Sequence, residues 1–96
     1  MDAQQLLKTR RKEILDLAAR CGAFNVRVFG SVARGENRAD SDIDFLVNLE
    51  KGRSLLDLAR LLRELSNLLG VPVDVVTEAG LRPRIKPRVL KEARPL

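Results

Sequence analysis

The feature that most restricts this chain is residues 28–47, Val-Phe-Gly-Ser-Val-Ala-Arg-Gly-Glu-Asn-Arg-Ala-Asp-Ser-Asp-Ile-Asp-Phe-Leu-Val, which put a small-residue turn and two carboxylates spaced two apart into one short segment. Val26 and Val28 alternate with polar neighbours, as a strand does, up to Gly30-Ser31, and Val32-Ala33-Arg34 then suits a single helical turn. Backbone amides at such a turn point outward. A glycine without a Cβ admits phosphate oxygens to them, and the Ser31 hydroxyl adds a donor, so Gly30 and Ser31 are candidate phosphate contacts. A polar loop, Gly35 to Asp40, leads to a second strand at about residues 42–49. Asp42 and Asp44 recur there at period 2 and share one face, with Cβ atoms roughly 6–7 Å apart, close enough to chelate one divalent cation or hold two neighbouring ones. Left unpaired they repel, which favours a cation or an arginine between them. Read singly, Gly-Ser is a plain turn and Asp-x-Asp a solvated turn or helix cap; it is the combination that points to a site.

Composition narrows the chemistry. Ninety-six residues with 45% apolar content make one domain with a single modest core, and leave no room for a second substrate domain. The chain has no His, Tyr or Trp. Metal ligands must then come mainly from carboxylates, which suits Mg²⁺ or Mn²⁺ rather than zinc, and the chain cannot modify itself on a tyrosine. The lone Cys21 reads as a packed small apolar residue. No apolar run approaches the ~20 residues of a membrane span, and the first residues do not resemble a signal peptide, so the expected location is the cytosol.

The surroundings read as a scaffold. Asp2 caps a first helix with apolar positions Leu7, Ile14, Leu17, Ala18 and Cys21, ending near Gly22. Strand one follows at about Phe24–Phe29; Phe24, Phe29 and Phe45 all read as core, so no base-selecting aromatic is visible. Ser54 and Asp57 form a capping box opening a long helix with the stripe Leu55, Leu58, Ala59, Leu62, Leu65 and Leu69. Leu56, Leu61 and Leu68 widen that stripe, as extra core or as an interface, and core is preferred. Gly70 stops the helix, and Val71–Val76 is a third strand. Within it Asp74 is the lone charge and needs a positive neighbour, for which a salt bridge to an arginine suffices.

The net charge of +5 lies entirely in the tail: residues 81–96 hold six basic residues and only Glu92, while residues 1–80 balance at 12 and 12. Pro87 permits a short helix to about Ala93, but the preferred reading is a solvated end that orders on binding phosphate or a partner. Without aromatics to stack bases, the tail gives little support to nucleic acid as a direct substrate.

Gly30-Ser31, Arg34-Gly35 and Ser41-Asp42-Ile43-Asp44 closely resemble the signature of minimal nucleotidyltransferase domains, within the DNA polymerase β-like superfamily. The resemblance extends over nearly the whole chain and is tightest across residues 28–47. It implies an α/β (α+β) fold, a small mixed sheet flanked by helices. It also implies ATP as substrate, two Mg²⁺ ions on Asp42 and Asp44, and Asp74 as a third carboxylate on a neighbouring strand that either binds metal or takes the acceptor's proton. Arg34 or Arg38 would contact the departing phosphates. Short chains in that family are commonly antitoxins encoded beside a HEPN-domain ribonuclease toxin, which they adenylylate on tyrosine. Two other expectations stay open: a binding-only antitoxin acting by occlusion, and a nucleotidyltransferase for a small molecule or RNA end.

Overall fold

The computed structural model describes residues 2–36 and 42–96. Their elements run α1 (Ala3–Thr9), α2 (Arg11–Arg20), β1 (Ala23–Phe29), β2 (Ile43–Leu49), α3 (Leu55–Leu69), β3 (Val73–Thr77), α4 (Lys86–Glu92) and β4 (Arg94–Pro95). The strands form one mixed sheet ordered β3-β2-β1-β4, in which β1 pairs antiparallel with both β2 and β4 while β2 and β3 run parallel. Parallel neighbours need a crossover, and α3 supplies it. This is the expected small mixed sheet with helices.

The local rules operate where the sequence signals them. Ser54 accepts from the Leu56 amide, and Asp57 reaches back to the Ser54 amide at 2.9 Å, closing the capping box. Gly70 ends α3 at φ +67°, a left-handed cap natural to glycine. The first helix is two rather than one. At Arg10 the backbone leaves helical geometry (φ −103°, ψ 10°), so α1 and α2 abut there, although the bonds from Arg10 to Leu6 and from Ile14 to Arg10 persist.

Ile43, Phe45 and Val47 of β2 are 0–1% exposed and pack with Ile14, Ala18, Cys21, Val28, Leu61 and Leu65 into the main core. Burying Phe45 alone contributes roughly 2–3 kcal/mol. Cys21 is buried as expected, and burial pushes its thiol pKa up. Leu61 and Leu68 of α3 join or flank this core, but Leu55 and Leu56 are each 81% exposed: the buried stripe begins one turn later, and its centre is Leu61, Leu65 and Leu69. Phe24 departs from expectation too, at 51% exposed. The cause is a bulge: three steps on β1, from Phe24 to Arg27, oppose two on β2, from Asn48 to Leu46, and Asn25 takes φ +52°. Such an extra residue reverses which face its neighbours present, and asparagine tolerates left-handed backbone better than most residues.

The tail is ordered, contrary to the reading of a solvated end. Pro87 sits in the first turn of α4, Val89 is 5% exposed, and β4 pairs Arg94 with Val28 and Pro95 with Arg27. The Leu96 amide donates to the Val26 carbonyl at 3.1 Å, and Arg11 Nε donates to the Leu96 carbonyl at 3.1 Å.

Candidate active site

Strand parity places the carboxylates. Val28 pairs with Phe45 toward the helices, so Phe29 and its partner Asp44 face the other side of the sheet. In the parallel ladder Asp44 is directly opposite Asp74. Asp42, two residues before Asp44, stands just ahead of β2, near enough for its charge to act on Asp44. Asp42 and Asp74 are exposed and Asp44 is half-buried. Its pKa is raised, first by burial and then by the negative fields of Asp74, Asp42 and Glu92; Arg34 offsets only part of this. Among the described residues Asp74 has no ion-pair partner, so the salt bridge considered for it is not formed.

The turn follows β1 directly. Gly30 has φ +74°, and a Cβ built there would lie 2.3 Å from Asp44 Oδ2. Glycine is therefore required for a reason the sequence did not disclose: the space a side chain would fill holds the Asp44 carboxylate. The Arg34 amide bonds the Gly30 carbonyl at 3.1 Å, and the Glu36 amide bonds the Ser31 carbonyl at 2.9 Å, so the expected single helical turn forms and stops at Gly35. Ser31 is half-buried, and neither its amide nor its hydroxyl is engaged by another described residue.

Two expected phosphate contacts are differently occupied. The Gly30 amide donates to Glu92 Oε2 at 3.1 Å, and Arg34 is ion-paired with Glu92 and, at 2.9 Å, with Glu36. Those partners raise the Arg34 pKa, while Arg34 and then the Gly30 amide hold that of Glu92 down. Sequence reasoning missed Glu92 as a site residue. The available signal was that it is the lone acid among six bases. Arg38 and Ser41, also named from sequence, lie outside the described residues, as does most of the loop that joins the turn to β2.

The donor set fits a hard divalent cation: oxygen ligands only, gathered on one face, with mutual repulsion that a cation would relieve. They are gathered but not closed, since among the described residues no group of three or more acidic or cysteine side chains is already arranged to hold a metal. An apolar cavity of roughly 320 Å³ bounded by Leu7, Val28, Val32 and Leu96 is not this site, because Val28 faces away from Asp44.

A cradle of this kind, two strands carrying opposed aspartates beside a Gly-Ser turn, marks a class, and residues 7–96 match the family model described as Nucleotidyltransferase domain. The chain belongs to that family. A solved structure described provisionally as a minimal nucleotidyltransferase is 59% identical, with a TM-score of 0.87 over 100% of this chain and 97% of that one. The protein adenylyltransferase MntA of Thermococcus cleftensis is 38% identical over 91 residues, 95% of this chain and 89% of that protein. A crystal structure of a toxin-antitoxin with AMP-PNP shares the fold at a TM-score of 0.75 and 21% identity, over 88% of this chain and 69% of that one. Among the described residues no helix is long and apolar enough to cross a membrane.

Proposed function

We propose that this chain transfers AMP from ATP to a hydroxyl, a tyrosine of a partner HEPN ribonuclease toxin, and so silences the toxin as a cytosolic antitoxin. The observation that carries the proposal is the in-register pair Asp44 and Asp74, with Asp44 packed against Gly30, Asp42 nearby, and no ion pair to Asp44 or Asp74 among the described side chains. Support for the acceptor comes from the protein adenylyltransferase among the relatives, from the toxin-antitoxin neighbour in fold, and from the lack of any tyrosine in this chain.

In this reading Asp42 and Asp44 would hold Mg²⁺, which would neutralise charge on the phosphate oxygens and lower the pKa of the attacking hydroxyl, leaving Asp74 free for the proton. The Ser31 amide and hydroxyl grip the β/γ-phosphates. Asp74 faces solvent, so a hydroxyl presented by a partner meets it first, and its carboxylate accepts the proton. The hydroxyl oxygen then bonds to the α-phosphorus, the bond to the bridging oxygen breaks, and pyrophosphate leaves. Positioning and charge stabilisation are most of what such a transfer needs.

The test is to incubate the protein with ATP-Mg²⁺ and its neighbour-encoded partner and weigh the partner. The expected result is a gain of one or more AMP units that disappears in Asp42→Ala and Asp44→Ala while complex formation persists. Full neutralisation of the toxin by those variants would establish occlusion instead. A labelled RNA end or small molecule with an unmodified partner would move the activity to another acceptor.

A further inference from the structure

The C-terminal segment reaches into the site through one side chain. Glu92, the last residue of α4, accepts from the Gly30 amide at one end of the turn and pairs with Arg34 toward the other. We infer that Glu92 is a positioning residue: its carboxylate clamps the Gly30–Gly35 turn, fixing where Ser31 stands relative to Asp44.

The first support is anchorage. Val89, one helical turn before Glu92, is buried, and β4, two residues after it, is hydrogen-bonded to β1, the strand whose exit is Gly30. The chain end is tied down twice more, through Leu96, to Val26 and to Arg11. A carboxylate on so constrained a backbone has little freedom to swing away, and its side chain is only 17% exposed against 43% for Arg34. The second support is the chemistry of the bonds. A carboxylate accepting both a backbone amide and a guanidinium makes charge-assisted hydrogen bonds, roughly twice as strong as neutral ones. The third is the geometry at Gly30, whose missing Cβ leaves room for Asp44 Oδ2 while its amide is bound by Glu92. One residue is thus held between the turn clamp and the acidic cluster. At Asp44 the field of Arg34 opposes that of Glu92, so the ion pair adds less negative potential there than Glu92 alone would.

The kinetic part of the inference rests on the transferase reading; the structural part does not. The experiment therefore has two arms on the full chain, comparing wild type, Glu92→Ala and Glu92→Gln, each checked for folding by its melting curve. In the first arm, residue-resolved amide hydrogen exchange is measured at Gly30 and Ser31. Glu92→Ala should accelerate Gly30 exchange about tenfold or more, the factor expected for losing one charged hydrogen bond, and Glu92→Gln, whose amide oxygen still accepts, should restore most of the protection. In the second arm, adenylylation kinetics should show a raised KM for ATP in Glu92→Ala with a smaller change in kcat, again rescued by Gln. Unchanged Gly30 exchange in a folded Glu92→Ala protein would overturn the clamp. So would tighter ATP binding in that variant, which would make Glu92 a competing anion. If wild type transfers nothing, the functional proposal fails and the exchange arm still decides the clamp. Should Glu92→Ala not fold, Arg34→Ala removes the other partner, and the clamp then requires faster exchange at Gly35 and Glu36, whose amides close the turn.

Discussion

Two clusters of charge occupy the same face of the sheet, one strand pair-step apart, and they are built in opposite ways. At the first, Arg27 is 12% exposed and bonds Asn48 Oδ1 at 2.7 Å and Glu78 Oε2 at 3.0 Å, and every charge has its complement. At the second, Asp44 faces Asp74 with Asp42 near, and burial and like charge together raise its pKa. Both are polar patches that the fold must accommodate. Only the first is accommodated for the sake of the fold. Buried charge that serves stability is paired, whereas groups left in mutual repulsion persist where chemistry needs them.

The contrast can be broken at either cluster. The largest effect should follow Gly30→Ala, because the new methyl would collide with Asp44 Oδ2 and the backbone is left-handed there. Displacing that carboxylate by an ångström should lower AMP transfer about 100-fold or more, and the strained backbone should cost roughly 1–3 kcal/mol, read by activity assay and chemical denaturation. An intermediate effect of opposite character should follow Arg27→Ala. Leaving Glu78 without its donor, and Asn48 with only the Asn25 amide, should cost roughly 1–3 kcal/mol of stability, with transfer activity at 25 °C within about twofold of wild type. A large activity loss without a stability loss at Arg27 would erase the distinction between the clusters.

How far the sequence revealed this arrangement depended on whether the signal was local. The Ser54-Asp57 box and the Gly70 stop are each set by neighbours a few residues away and stand where the spacing put them; of the two period-2 aspartates Asp44 lies on β2, while Asp42 falls just ahead of it. Asp74 was placed through the family resemblance, and the parallel register set it opposite Asp44. What was illegible came from contacts distant in sequence. The tail looked like a solvated end because its residues are basic and proline-rich; its order comes from β1, nearly 70 positions earlier. Glu92 could not be assigned to Gly30 for the same reason. The bulge at Asn25, with its exposed Phe24, is an insertion that alternation alone cannot see. Leu55 and Leu56 matched the periodicity of α3, but they precede the turn at which that helix meets the core.

The smallest effect tests the central claim most directly. Because its folded pKa lies above its unfolded one, Asp44 costs stability only where it is ionised: the penalty is absent at pH below the ordinary carboxylate value and grows as pH rises through the raised folded value. Thermal unfolding of wild type and Asp44→Asn should be compared at pH 7 and near pH 3, with EDTA and with Mn²⁺. In EDTA at pH 7 the Asn variant should melt higher by about 2–5 °C, the shift that ~0.5–1 kcal/mol produces in a domain of this size, and the gap should close near pH 3. Mn²⁺ should raise the melting temperature of wild type and leave that of the variant unchanged. A variant that melts lower than wild type at pH 7, or that gains as much from Mn²⁺, would contradict the account of these aspartates as a cluster held in repulsion for a cation.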